Sequence, residues 1–322
     1  MTMTELAKLA ECSQTAVSLV LKNPDCPKVS KAKRERILRI ARESHFQANH
    51  AAVALRSKKS KVIGIQMPMV FQPMEAFSVS FIQKSLHALG YNAIFAFHNT
   101  DEEIPFSFRQ LLAYKPDGLI AMDFDPLLGQ ESIPVVFRRR RPGYDAVMLD
   151  YEYYADAVVE IAVRGGHDLI YDLLADPERT ALLAAKAAGR GITVEFANLD
   201  LSMQSPVQSY PVVKKRLSAK NRPSLCLTSD YLAHSVYAAA FDLGISIPDE
   251  LSVIGMDNMP TATCMRPPLS SFDLRLEHTL DTIVGMLLER IADPGKAVEH
   301  RPVSMTFIDR ASVRKAKSKQ RS

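Results

Sequence analysis

From residue 62 onward, short apolar runs alternate with longer amphipathic stretches along almost the whole chain. Nearly continuous apolar runs are typical of parallel strands that are buried on both faces, and the amphipathic stretches between them are typical of connecting helices. The runs are VIGIQM, NAIFAF, GLIAM, IPVVF, AVMLD, DLIYDLL, SLCLTSD and LSVIGMD, with two late candidates in PPLSS and VSMTFID. This pattern predicts two successive α/β sheets with helices on both faces.

The first 46 residues have a different pattern, that of three short helices. A T-x-x-E capping box opens the first helix at Thr2, and Ser13 and Ser30 can cap the second and third. The first two helices are predicted to bury Leu6, Leu9, Ala10, Val17, Val20 and Leu21. A unit of this size has a small core, so we expect it to be marginally stable.

Charge is distributed unevenly along the chain. The net charge of +4 combines +8 in residues 1–61, about −9 in the body, and +5 in the tail over 314–322. A basic head on an acidic body indicates that the head binds a polyanion and that the body does not. The tail is expected to be disordered and solvated.

Composition excludes several other classes of protein. Apolar residues make up 47% of the chain, which excludes bulk disorder, and no apolar run has the ~18 residues of a membrane span. No secretory signal precedes the first helix, so we expect a cytoplasmic protein with no membrane partner. The four cysteines form no CxxC pair and have no zinc spacing, so we predict no metal site and reduced thiols.

The first two predicted helices have the size and spacing of a helix-turn-helix. In that motif the second helix enters the major groove and its N-terminal residues face base edges. This arrangement gives a role to the polar residues Gln14, Thr15 and Ser18. It also allows Leu19 to contact a thymine methyl group.

The stretch MTMTELAKLAECSQTAVSLVLKN, followed by VSKAKRERILRIARES and NHAAVALR, resembles the N-terminal region of the LacI/GalR family of bacterial repressors. The likeness continues through GGHDLI, ERTALLAAKAAGRGI, LTSDYLAHSVYAAAFDLGISIPDELSVIGMDNMPTATCMRPPLSS and VSMTFIDRAS, and only residues 66–145 match loosely. It implies an α/β fold, with a two-lobed periplasmic-binding-protein-like core behind an N-terminal all-α helix-turn-helix headpiece. It also implies a homodimer that binds a palindromic operator in double-stranded DNA.

The resemblance implies specific DNA contacts. In the major groove the implied residues are Ser13, Gln14, Thr15, Ser18, Leu19, Asn23 and Ser30. A hinge helix over 47–61 would contact the minor groove through Asn49, His50, Ala52, Leu55 and Arg56, with the leucine wedged into a base step. Ala16, Leu19 and His50 depart from the Thr, Arg and Arg that are common in the family. We therefore expect an operator that differs from the family consensus.

The body would hold a small-molecule effector, a sugar or a related metabolite, between its lobes. Implied effector residues are Arg138, Arg139, Arg179, Asp230 and Asp257. Four of these five have a simpler alternative: Asp230 can cap a helix, Arg179 can lie on the surface, and the RRRR run that contains Arg138 and Arg139 can be a solvated face. The core is predicted over 62–313, with lobe 1 at about 62–150 plus 272–296 and lobe 2 at about 151–271 plus 297–313.

Three functions are compatible with the sequence. The first hypothesis is a transcriptional repressor that the effector modulates, with no cofactor. The alternatives are a DNA-binding regulator that works without an effector because its pocket is degenerate, and a cytosolic solute-binding protein. An enzyme is not indicated, because the sequence has no G-x-S-x-G, P-loop, HExxH or G-x-G-x-x-G motif.

Overall fold

The computed structural model of the chain describes residues 1–46, 59–69, 73–122, 133–174, 176–197, 199 and 205–315. The chain divides into two compact units, Met1–Lys61 and Val62–Ser322. We call residues 1–46 the headpiece and the second unit the body, and describe each by itself.

The headpiece contains α1 (Met3–Leu9), α2 (Gln14–Lys22) and α3 (Lys31–Glu43). Both halves of the Thr2–Glu5 capping box form, with N···O distances of 2.8 and 3.2 Å. Fully buried side chains from all three helices meet in one core, which includes Leu6, Val17, Val20 and Ile37.

One prediction for the first helix is wrong. Leu9 is 56% exposed, whereas Ala7 is buried beside Leu6 and Ala10. The inward face of α1 therefore follows an i, i+1, i+4 spacing rather than i, i+3, i+4.

The body is built from parallel α/β units, as the alternating pattern predicts. Its strands are β1 (Val62–Pro68), β2 (Asn92–His98), β3 (Gly118–Ala121), β4 (Val135–Phe137), β5 (Asp145–Leu149), β6 (Leu169–Asp172), β7 (Thr193–Phe196), β8 (Leu225–Leu227), β9 (Ser252–Met256), β10 (Ser270–Asp273), β11 (His300–Val303) and β12 (Thr306–Ile308). Its helices are α4 (Pro73–Ala88), α5 (Ile104–Ala113), α6 (Tyr151–Gly165), α7 (Pro177–Ala188), α8 (Pro206–Leu217), α9 (Ala233–Asp242) and α10 (Leu276–Ala292), with short 3-10 turns at Asp101–Glu103 and Pro260–Thr263.

The strands form two six-stranded sheets. The first has the order β11-β5-β4-β3-β1-β2 and the second the order β12-β10-β9-β8-β6-β7. Every neighbouring pair is parallel except β10 and β12. Helices α4 and α10 contribute to the apolar core of the first sheet, and α6, α7 and α9 to the cores of the second. We call the two halves lobe 1 and lobe 2.

The late boundaries between the lobes differ from those predicted. Strand β10 continues to Asp273 within lobe 2, and β11 pairs with β5 in lobe 1, so residues 300–303 do not belong to lobe 2. Strand β11 carries little sequence signal, because it reads His-Arg-Pro-Val and is mostly half-exposed or exposed. A proline is tolerated in this position because β11 is the edge strand of its sheet.

The chain consequently crosses between the lobes three times, after β5, after β10 and after β11. The crossing segments contact one another. The amide of Asp150 donates to the carbonyl of Val303 at 3.2 Å, and Arg275 donates to Ser304 Oγ at 3.2 Å. Any ligand held between the carboxyl ends of the two sheets therefore lies close to the three segments that connect the lobes.

Candidate functional site

The first candidate surface is the exposed face of α2. Val17 and Val20 point into the headpiece core, and helical geometry places Thr15 on the opposite, exposed side, while Gln14 is exposed at the first position of the helix. Ser18 is half-buried beside them. The structure therefore brings the predicted base-reading residues to one accessible end of the helix.

Three other residues that the family resemblance implies in DNA contacts, Ser13, Asn23 and Ser30, keep side-chain donors free. Ser13 Oγ accepts from the Ala16 amide at 3.1 Å, which caps α2 and leaves the hydroxyl proton available. Asn23 Oδ1 accepts from the Asp25 amide at 3.0 Å, which leaves the side-chain NH₂ available. Ser30 is exposed at the start of α3 and makes no capping bond with its side chain. Free N–H and O–H groups of this kind suit phosphate oxygens.

Leu19 is less exposed than the sequence predicts. It is half-buried and packs against the headpiece core, at the edge that it shares with Leu21. Only part of the Leu19 side chain can therefore reach a thymine methyl group, and the rest supports the position of α2.

The headpiece carries several exposed cations, while Arg34 and Arg36 have structural partners. Arg34 donates to the carbonyls of Cys26 and Val29, at 3.2 and 2.8 Å, and Arg36 pairs with Glu11 at 2.8 Å. The exposed cations of residues 1–46 are Lys8, Lys22, Lys28, Lys31, Lys33, Arg39 and Arg42. Such side chains supply the salt-dependent part of binding to a polyanion. The hinge residues Asn49, His50, Ala52, Leu55 and Arg56 lie outside the described residues.

The second candidate site lies at the carboxyl ends of the strands in the body. Asp230 follows β8 and is 1% exposed. Its Oδ1 accepts from Ser271 Oγ at 2.6 Å and its Oδ2 from the Met259 amide at 2.6 Å. A Cβ atom at Gly255 would lie 2.1 Å from Asp230 Oδ1, so the missing side chain at that position makes room for the carboxylate. Burial raises the pKa of Asp230 to about 6, against the effect of its hydrogen bonds.

Arg179 is also buried, which its surface alternative did not anticipate. It is 1% exposed and pairs with Asp172 at 2.8 Å, while the same guanidinium donates to Tyr154 Oη at 3.2 Å and to the Leu174 carbonyl at 2.9 Å. Burial by itself would lower the pKa of Arg179, but Tyr154 and Asp172 outweigh it, so the pKa is raised. The charge of Arg179 is thus matched inside lobe 2.

The Arg139 side chain extends from lobe 1 to a carboxylate of lobe 2. Its guanidinium lies 3.4 Å from Asp176, which also accepts from Tyr151 Oη at 2.9 Å and from the Arg179 amide at 3.1 Å. Asp176 therefore caps α7 and also contacts Tyr151 at the start of α6 and Arg139 of lobe 1. A cavity of about 210 Å³ lies here, lined partly by Arg139, Arg140 and Asp176.

Asp257 lines a larger cavity between the lobes, of about 500 Å³. Lobe 1 contributes Phe77 and residues 276–278, and lobe 2 contributes residues 257–260 and Asp273. Burial, together with Asp230 and Glu75, raises the pKa of Asp257 well above its usual range, and Arg138 opposes that rise. A volume of this size fits a small metabolite.

Sequence reasoning missed three residues that organise this region. Asp172 carried a signal, because it is a charged residue within the apolar run DLIYDLL. Asp176 also carried one, because an aspartate before Pro-Glu is a common start of a helix. Tyr151 carried none, since its role depends on a neighbour 25 residues away.

Comparison with known proteins gives two matches to protein families. Residues 2–49 match the model described as "Bacterial regulatory proteins, lacI family", and residues 174–313 match a "Periplasmic binding protein-like domain". The chain is 26% identical to the HTH-type transcriptional repressor PurR of Erwinia tasmaniensis, over 97% of this chain and 96% of that protein. It is 25% identical to PurR of Yersinia pestis over the same shares.

Solved structures share the fold over nearly the whole chain. The lac repressor dimer bound to operator and the anti-inducer ONPF matches with a TM-score of 0.82 and 20% identity, covering 97% of this chain and 98% of that one. The regulator CelR in complex with cellobiose matches with a TM-score of 0.68 and 18% identity, covering 97% and 99%.

The described residues lack two features of other protein classes. They contain no helix that is long and apolar enough to cross a membrane. Nor do these parts of the chain gather three or more His, Cys, Asp or Glu side chains in a metal-binding arrangement.

Proposed function

The chain belongs to the LacI family of bacterial regulatory proteins, and we propose that it is a sequence-specific repressor of transcription. It binds a palindromic operator as a homodimer and is modulated by a small molecule held between the lobes of the body. The observation that carries the proposal is the face of α2, where Gln14 and Thr15 are exposed above a fully buried Val17 and Val20.

That face has the chemistry of a DNA reader. Amide and hydroxyl groups discriminate between base edges in the major groove, and the exposed cations of the headpiece suit phosphates. A single headpiece covers a short half-site, so two headpieces on a two-fold operator supply the affinity and length that specific binding needs. A dimer bound to its operator is known for the lac repressor, which has the same fold.

Selection of bound DNA from a random pool tests this function directly. The full-length protein is expected to recover one palindromic sequence, and gel-shift titration should show binding that weakens steeply with salt. Recovery of no sequence, or equal affinity for all duplexes, would contradict the proposal.

The hinge prediction has its own test. Replacing Leu55 by Ala removes the side chain assigned to the base-step wedge, so operator affinity should fall strongly while the dimer stays intact. Gel-shift titration and light scattering measure the two quantities. Unchanged affinity would remove the wedge from the proposal.

The effector is proposed to occupy the cavity of about 500 Å³ beside Asp257. A carboxyl group in a partly apolar cavity between two lobes suits the hydroxyl groups of a carbohydrate-like metabolite. Thermal-shift measurements against sugars, sugar derivatives and nucleobases, followed by gel shifts with any compound that binds, test this assignment. Asp257→Ala is expected to abolish the response to such a compound and to preserve operator binding.

A regulator that works without an effector is the second candidate, and one observation favours it. Arg179 and Asp230, two predicted effector residues, both have their polar atoms paired within lobe 2. If no compound in the panel raises the melting temperature or alters operator affinity, this second candidate becomes the better account. A cytosolic solute-binding protein is disfavoured by the basic headpiece.

We infer no catalytic activity. His167 Nδ1 lies 2.8 Å from Ser224 Oγ, a spacing found in nucleophile–base pairs, but His167 is 3% exposed and packs against Gly165. Burial, assisted by Arg314, lowers the pKa of His167 to about 4, which makes it a weak base. The pair therefore acts as a structural contact.

The protein is proposed to work in the cytoplasm, on DNA of the nucleoid.

A further inference from the structure

Helices α1 and α2 are joined by one side-chain hydrogen bond outside their shared core. Gln14 Nε2 donates to Thr4 Oγ1 at 2.7 Å. Both side chains are exposed, so this bond adds no buried surface to the headpiece. It does fix one end of a side chain that the proposed function places in the major groove.

The bond determines how the Gln14 amide is presented. A glutamine amide has two N–H groups and one carbonyl oxygen, and here one N–H is taken by Thr4. A glutamine amide that donates its N–H anti to Oε1 in this way keeps its other N–H and Oε1 side by side on one edge. This pair is complementary to N7 and the N6 amino group of adenine, the base that glutamine reads through two hydrogen bonds.

We propose that Thr4 is a positioning residue for operator reading, which holds the Gln14 amide so that its free edge selects adenine at one position of each half-site. This inference rests on the proposed function. Thr4 itself does not need to touch DNA. An exposed glutamine otherwise loses rotamer freedom on binding and can turn its amide over to suit another base, and the bond to Thr4 reduces both.

Thr4→Val separates this role from a structural one. Valine keeps the shape of threonine and removes the acceptor oxygen, whereas Thr4→Ser keeps that oxygen. Because Thr4 is exposed and lies outside the buried core of the headpiece, neither change is expected to unfold it. Gln14→Ala identifies the base pair that the amide reads.

The experiment selects operators from a random pool with the full-length wild type, Thr4→Val, Thr4→Ser and Gln14→Ala, and then measures each protein on the selected and singly mismatched sites. Gln14→Ala is expected to lose preference at one A·T pair per half-site. Thr4→Val should lose roughly five- to tenfold discrimination at that same pair and keep its affinity for mismatched sites. Thr4→Ser should behave as wild type, and Thr4→Val/Gln14→Ala should match Gln14→Ala alone.

Three results would overturn the inference and leave the proposed function standing: an unchanged preference in Thr4→Val, an equal loss of affinity for every sequence, or a Gln14-dependent pair that is not A·T. Failure of the wild type to select any operator would instead remove the proposed function, and this inference with it.

Discussion

The exposed face of α2 and the cleft of the body use polar residues in opposite ways. On α2, the side chains predicted to bind DNA are exposed or half-buried and keep donors free for a partner. In the cleft, Arg179 and Asp230 are each 1% exposed and are paired by their own lobe. A substitution on the headpiece face should therefore change binding, whereas one at these cleft residues should first change the stability of the body.

The largest expected effect comes from the core that supports the headpiece face. Leu6→Ala removes a fully buried leucine from a small core and should cost about 2–5 kcal/mol, enough to unfold the headpiece. Operator affinity should fall more than about 100-fold, while the thermal transition of the body is unchanged.

Leu9→Ala is the matched control for that prediction, because Leu9 lies on the same helix and is 56% exposed. It should retain operator binding. A parallel loss in both variants would show that burial is not what makes Leu6 important. A shift in the melting of the body with Leu6→Ala would show that the two units do not respond separately.

The second effect concerns the buried ion pair of lobe 2. Arg179→Met leaves Asp172 buried without its cation and should destabilise the body by about 3–5 kcal/mol in chemical denaturation. Replacing both partners, with Asp172→Asn and Arg179→Met together, should restore much of that loss. The exposed Arg190→Met is the control and should have little effect.

This measurement also decides whether Arg179 is a structural partner of Asp172 or a residue that binds the effector. If the main partner of Arg179 were the effector, Arg179→Met would leave the free energy of unfolding of the ligand-free protein nearly unchanged. If Arg179→Met is as stable as wild type, the pairing inside lobe 2 is not what holds this residue.

The third effect is a dependence of stability on pH. Because the pKa of Asp230 is about 6 in the folded state, above that of an exposed aspartate, the folded body binds more protons between about pH 4 and 6. The contribution of Asp230 to stability is therefore greatest below about pH 4, falls by roughly 2–3 kcal/mol as pH rises to 6, and is constant above that.

Asp230→Asn removes this titration. Denaturation of wild type and variant between pH 4 and 8, compared as a difference, separates Asp230 from the carboxyls that do not interact with it. The variant should also lower the pKa of Asp257, because Asp230 contributes to its rise, and that change is part of the difference. The exposed Asp249→Asn should follow wild type. If the free energy of unfolding depended on pH identically in wild type and Asp230→Asn, the burial assigned to the Asp230 carboxylate would be contradicted.

The smallest effect is expected where the cleft is partly open to solvent. Arg139→Ala breaks the 3.4 Å contact with Asp176, but Arg139 is 40% exposed, so the loss should be within about 1 kcal/mol. Arg140→Ala, at the exposed neighbour, should cost less. A loss of several kcal/mol for Arg139→Ala would mean that this contact holds the lobes together more firmly than its exposure indicates.

Much of the fold followed from local patterns. The apolar runs located most of the central strands, and the capping box located the start of α1. The edge strands β7 and β11 were missed because half-exposed strands lack a continuous apolar run. The boundaries between the lobes then shifted with β11, since its place in a sheet depends on a partner strand about 150 residues earlier.

By itself, the sequence determined that Val17 and Val20 of α2 face inward, because the buried positions of a helix recur with its 3.6-residue period, but it did not reveal that Leu19 packs against the same core. It also determined the α/β class of the body. Only the tertiary structure decided which polar residues of the cleft remain available to a ligand. The partners of Arg179, Asp230 and Asp176 come from other strands and helices, and no local pattern states which charges those elements will satisfy.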